Sequence, residues 1–174
     1  MKSLILLSFI STLFNSPESR LSFTYNFTGG PLQDYISGGG GLKVSTFFCV
    51  SPWLKYGISI HLSKYSGAGE SPYFFILKGL GLHIMTNLIH RFWSGFSLEG
   101  GIDWSHLYRE LDEGSESEMV IILSLNPNIY LTKDRVSLYL EFPFQWIPGN
   151  DKSIFLYGLG FGVSFEWGLE PGLK

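Results

Sequence analysis

The stretch "IFLYGLGFGVSFEW" at residues 154–167 alternates with a period of two. Phe155, Tyr157, Leu159, Phe161, Val163, Phe165 and Trp167 share one face, while Leu156, Gly158, Gly160, Gly162, Ser164 and Glu166 share the other. Alternation of this kind marks a strand lying between two environments. The apolar face is large and aromatic. The other is mostly glycine, serine and acid, as suits a narrow, crowded interior rather than open water.

Seven further segments repeat the pattern: "LSFTYNF" from Leu21, "GLKVSTFFC" from Gly41, "WLKYGISIHLS" from Trp53, "YFFILKGLGLHIMT" from Tyr73, "FWSGFSLEGGIDW" from Phe92, "EMVIILSLNPNIYL" from Glu118 and "VSLYLEFPFQW" from Val136. The connections between them alternate in length. Segments 28–40, 64–72, 105–118 and 147–153 are long and polar or glycine-rich, whereas "VSPW", "NLIHR" and "LTKDR" are short. Long loops at one end and tight turns at the other are the rhythm of an up-and-down membrane barrel. Hydrocarbon admits only helices and closed barrels, because an unpaired backbone group there costs several kcal/mol. The pattern predicts an all-β protein, an eight-stranded antiparallel up-and-down transmembrane β-barrel with the apolar faces toward lipid.

Aromatic residues gather at the strand ends: Trp53, Phe92, Tyr130, Phe165 and Trp167 at the turn end, and Phe27, Phe74, Trp104, Trp146 and Phe155 at the loop end. These predict two interfacial girdles. Lys78 breaks the pattern, since alternation places it among Phe74, Ile76, Leu80, Leu82 and Ile84. A lysine facing lipid at mid-bilayer costs roughly 2–4 kcal/mol. A bulge between Leu77 and Gly79 would turn it inward; the alternative is that it snorkels to the headgroups. The bulge is the favoured expectation.

The first 19 residues, "MKSLILLSFISTLFNSPES", combine Lys2 with an apolar stretch from Leu4 to Phe14 and read as a secretory signal peptide with an uncertain cleavage site. The expected organisation is thus signal peptide at 1–19, barrel at 20–167 and a C-terminal extension at 168–174. With the leader, the eight alternating strands and the aromatic-ended last strand, the chain resembles the small outer-membrane β-barrels, similar to the transmembrane domains of outer membrane proteins A and X. The resemblance covers nearly all of 20–167 and is one of pattern. It implies residence in the bacterial outer membrane, contact with outer-membrane lipid, and insertion by the barrel assembly machinery, which in that family reads a signal in the last strand. Trp167, Phe165, Val163 and Phe161 fit that signal, although "GLEPGLK" follows them.

Composition agrees with the pattern. The 174 residues are 45% hydrophobic and 17% aromatic but only 16% charged, against about 25% charged in soluble domains. A net charge of −3 without a basic stripe excludes a nucleic-acid partner. The single cysteine, Cys49, forms no intramolecular disulfide and is expected to be a small buried side chain. No cofactor or metal site is expected. The acidic segment 105–118, with Glu110, Asp112, Glu113, Glu116 and Glu118, lacks the residue order of an EF-hand loop. It is expected to be a solvated tip, and with segment 28–40 it is the candidate contact surface for an extracellular ligand.

The inward faces carry the candidate chemistry. Lys43, Glu99, Glu141 and a bulge-turned Lys78 are expected to form lumen ion pairs, because an unpaired buried charge costs several kcal/mol. Lys55, His83 and Glu166 are expected nearer the turn end, and Phe47, Trp93 and Tyr139 are expected to fill the lumen. His61, Ser63, Asp103, Ser105 and His106 are expected near one rim, and His, Ser and acid are the parts of an acyl-transfer site. "HLS" at 61–63 also resembles the His-x-Ser of outer-membrane lipid A deacylases. In that family the motif lies near the chain end and precedes Asn, whereas here it lies in the third strand and precedes Lys64. The leading expectation is a non-enzymatic barrel with a plugged lumen, acting structurally or through its loops. The runner-up is an outer-membrane lipid A-modifying acyl hydrolase or transferase using His61, Ser63 and Asp103. A third reading, a lipocalin-like soluble ligand carrier, reverses the polarity. It would leave Gly57, Ser59, Gly79, Gly81, Gly95, Gly158, Gly160 and Gly162 as the solvated surface.

Overall fold

The structure, a computed structural model, describes residues 17–29, 34, 36–51, 53–68, 74–90, 94–109, 115–132, 135–148 and 153–167. Eight strands follow in chain order: β1 Glu18–Gly29, β2 Ile36–Ser51, β3 Leu54–Gly67, β4 Phe74–His90, β5 Ser94–Arg109, β6 Ser115–Thr132, β7 Val136–Ile147 and β8 Ile154–Glu166. Each pairs antiparallel with its chain neighbours, and β1 pairs with β8 to close the barrel. Closure leaves no edge strand, as a bilayer requires. The lipocalin-like polarity is excluded by the faces themselves. Leu82 is 73% exposed, Ile60 62% and Phe161 63%, while Ser59, Glu99, Asp103, Asn126 and Glu141 are buried inside.

Local chemistry accounts for the tight turns. In "VSPW" the Ser51 hydroxyl accepts hydrogen bonds from the Trp53 and Leu54 amides at 3.3 and 3.1 Å. The Trp53 carbonyl in turn accepts from the Asn87 amide at 2.9 Å and the Thr86 hydroxyl at 3.0 Å. Register shifts lie beside the turns, at Cys49/Ser51, Asn87/Ile89 and Tyr130/Thr132, with a further one at Ile36/Gly38. Stacked outward rings reinforce the closing seam, with centroids 5.8 Å apart for Phe23–Phe161 and for Phe27–Tyr157.

Several expectations need correction. β3 and β4 pair without interruption from Leu54↔Thr86 to Ser66↔Phe74, so no bulge stands between Leu77 and Gly79. Leu77 is therefore fully buried and Lys78 is exposed on the outer face. Glycine weakens a strand but does not force a bulge when both neighbouring strands hold the register. The strands also reach further into the loops than the alternation implied. β1 starts at Glu18, two residues before the expected barrel boundary, and β5 and β6 absorb most of segment 105–118. Trp53, Phe165, Trp167, Phe27, Trp104, Trp146 and Phe155 are exposed as girdle residues should be. Tyr130 instead lines the lumen at the turn end. Phe92, Trp93, segment 1–16 and segment 168–174 lie outside the described residues.

Candidate functional site

Three layers succeed one another along the lumen. At the loop end Ile36, Tyr65, Leu77, Val120, Ile122, Ile147 and Leu156 form an apolar cluster. Below it lies a charged network. At the turn end a cavity of about 150 Å³ is lined by Glu18, Arg20, Cys49, Lys55, Tyr130, Arg135 and Glu166, among others. Glu18 joins Arg20 at 2.7 Å and Lys55 at 2.5 Å, and Lys55 lies 3.7 Å from Glu166. Between cavity and network the Arg20 guanidinium sits 4.9 Å from the Tyr139 ring centroid and 5.6 Å from that of Phe47. Both rings are buried. Cys49 is half-buried, donating to the Ser51 carbonyl at 3.1 Å.

The central network brings together Lys43, Glu99 and Glu141 from β2, β5 and β7. The Lys43 ammonium contacts Glu99 Oε1 at 3.1 Å and also bonds Glu141 Oε1. Glu141 Oε1 further accepts from Ser124 at 3.3 Å, and Glu99 Oε2 from Asn126 at 3.5 Å. Lys78 takes no part, because it faces outward.

His83 belongs to this layer rather than to the turn end. Its Nδ1 is 2.7 Å from Glu99 Oε1, and its Nε2 is 2.6 Å from Asp103 Oδ1 and 2.7 Å from the Ser59 hydroxyl. Each ring nitrogen thus meets a carboxylate, and His83 bridges Glu99 and Asp103. Glycines make room for it. Gly81 lies between Ser59 on β3 and Asp103 on β5, so no side chain separates those strands at that level. Sequence reading missed this junction, since the spacing within one strand does not show which residues a neighbouring glycine allows to meet.

The His61 group is assembled differently from the expectation. His61 is opposite Gly79, and Gly79 is opposite Ser105, so Ser105 reaches across the glycine. The Ser105 hydroxyl is 3.3 Å from His61 Nε2, while Ser63 lines a small cavity beside the ring. His61 Nδ1 lies 2.6 Å from Asp103 Oδ2 on the far side of the ring. Beyond such a pair, a working triad needs an accessible nucleophile. Ser105 and Asp103 are fully buried, and the apolar cluster lies on the loop side. His106 faces the outer surface and is no part of the group. Among the described residues no cluster of His, Cys, Asp and Glu is arranged to hold a metal ion.

A closed eight-stranded sheet, apolar outside and ion-paired inside, defines the small outer-membrane β-barrel. No family model and no curated protein sequence matches the chain. Solved structures do match in fold. The chain is similar to Neisserial surface protein A, with a TM-score of 0.68 and 11% identity over 87% of this chain and 97% of that one. It is also similar to Ail, the attachment invasion locus protein of Yersinia pestis, with a TM-score of 0.53 and 10% identity over 87% and 99% of the two chains. OprG from Pseudomonas aeruginosa matches with a TM-score of 0.53 and 9% identity over 89% and 97%.

Proposed function

We propose that this chain is a non-enzymatic outer-membrane barrel whose lumen is a structural plug and whose work is done by its outward loops. The observation that supports the reading is the layering of the lumen. An apolar cluster, a cross-strand ion network and the Arg20–Tyr139–Phe47 stack succeed one another along the axis. A pore needs a continuous water path, and a lipid hydrolase needs its nucleophile at the membrane surface; the layering of the described residues supports the plug over either. The loops connecting β1–β2, β3–β4, β5–β6 and β7–β8 then remain for contact with a partner outside the cell. Ail, by its name a protein of attachment and invasion, shares the fold. A leader ending ahead of β1 and the assembly machinery would carry the chain to its membrane.

The test has two arms. Purified protein in planar bilayers should give no large, stable unitary currents. Exchange of segments 30–35 and 110–114 for short glycine-serine turns should leave the barrel folded while abolishing adherence of expressing cells to host-type surfaces. Conductance in the nanosiemens range, or hydrolysis of lipid acyl chains that Ser105→Ala abolishes, would refute the reading.

A further inference from the structure

Two residues lining the turn-end cavity, Arg20 and Asn128, each keep a buried polar atom that no described group satisfies, and each residue is 4% exposed. Arg20 donates from Nε to Glu18 Oε1 at 2.7 Å, yet its Nη1 has no hydrogen-bond partner among the described residues. Asn128 donates from its amide nitrogen to Ser97 Oγ at 3.3 Å and to the Asn126 carbonyl at 3.0 Å, while its Oδ1 accepts from no described group. One atom is a charged donor and the other a neutral acceptor. The sheet holds them near each other. Tyr139 pairs directly with Asn128, and the Arg20 guanidinium lies 4.9 Å from the Tyr139 ring centroid.

Local charge explains why Arg20 is only partly satisfied. Glu18 serves two cations, with Oε1 on Arg20 and Oε2 on Lys55 at 2.5 Å. Glu166, the next carboxylate, stands 3.7 Å from Lys55 and nearer the mouth, its side chain 29% exposed. A buried charged donor without an acceptor carries the full cost of its desolvation. The cavity is large enough for a ligand that supplies one. Its volume is about 150 Å³, and one water needs roughly 10–15 Å³, so a molecule of several heavy atoms fits. The cavity opens beside Arg135 and Glu166 at the end of the short connections, which in barrels of this class face the periplasm.

We propose that this cavity binds a small organic carboxylate from the periplasm, with the carboxylate on Arg20 Nη1 and a donor on the adjoining carbon bonded to Asn128 Oδ1. The planar edge of a guanidinium matches a carboxylate. A singly charged ligand balances the cation that shares Glu18, whereas a doubly charged phosphate would meet Glu18 and Glu166 as like charges. The donor is the hydroxyl of an α-hydroxy acid or the amide N–H beside the carboxylate end of a peptide. The site lies at the opposite end of the barrel from the long loops and does not depend on their role.

Cys49 reports on occupancy, because it lines the same cavity and is the single cysteine of the chain. The full chain is refolded in detergent micelles, which leave both ends open to solvent, and alkylation of Cys49 by neutral iodoacetamide is timed. Millimolar lactate should slow the reaction saturably. Lactamide, its uncharged analogue, and sodium chloride at equal ionic strength should not. Arg20→Lys keeps a cation beside Glu18 but loses the guanidinium edge, and should weaken lactate protection about tenfold, as loss of one charge-assisted hydrogen bond implies. Asn128→Leu should weaken protection by lactate and leave that by acetate, which has no donor, unchanged. The heat-dependent gel shift shows that each variant is folded. N-acetylalanine tests the source: protection by it as well as by lactate assigns the site to a peptide end, and protection by lactate alone to a free acid. No saturable protection by either, equal protection by lactamide or inorganic phosphate, or lactate protection unchanged in either variant would each overturn the proposal.

Discussion

Replacing Lys43 with methionine removes the cation that joins two buried carboxylates. The structure shows where the cost falls. Glu99 keeps His83 at 2.7 Å and Asn126 at 3.5 Å, so it remains partnered. Glu141 keeps only the Ser124 hydroxyl at 3.3 Å on Oε1, and its Oε2 has no hydrogen-bond partner. Its side chain is 2% exposed, so water does not replace the lost ammonium. Stranding one buried charge costs roughly 3–5 kcal/mol. Glu141→Ala should cost less, because Lys43 then still holds Glu99. The double variant Lys43→Met/Glu141→Leu removes both charges and leaves the Glu99–His83 pair intact. An apolar replacement of a buried ion pair is often neutral, so the double variant should regain most of the loss. The assay is urea unfolding in lipid vesicles, followed by the fluorescence of the girdle tryptophans Trp53, Trp104, Trp146 and Trp167. A Lys43→Met midpoint equal to the parent's, or a double variant whose loss is the sum of the two single losses, would refute the plug.

Three further outcomes follow from the same geometry. Unboiled protein should run at a different gel mobility from boiled protein and should fractionate with outer membranes; extraction without detergent would contradict the barrel's polarity. A fluorophosphonate probe should fail to label Ser105 in folded protein, since the hydroxyl is fully buried, and labelling lost in Ser105→Ala would show an open nucleophile. In Gly81→Ala the new Cβ meets the Asp103 carboxylate and stands 2.8 Å from His83 Nε2, so unfolding should cost roughly 1–3 kcal/mol. The outward control Gly100→Ala, whose nearest neighbour is the Ile122 carbonyl at 3.9 Å, should stay within about 0.5 kcal/mol of the parent.

The sequence by itself determined the strand count, the closed architecture and the face on which almost every strand residue lies. Side-chain alternation is a property of a single strand, and the need to satisfy each backbone group in hydrocarbon leaves closure as the only outcome for eight such strands. Lys43, Glu99 and Glu141 were legible for the same reason: each is a charge on a polar face, and enclosed charges pair. Their mutual contact was decided by the register between strands, because Lys43 lies 56 residues from Glu99 and 98 from Glu141. Register also decided the errors. Lys78 stays outward because β3 and β4 pair without a slip, and His83 joins the central layer because β4 places it opposite Gly57 and Gly101. Ser105 displaces Ser63 as the partner of His61 because the residue between them in the sheet is Gly79, which has no side chain to block the approach. Alternation fixes which way a side chain points, and only the closed sheet fixes which side chains stand at the same height.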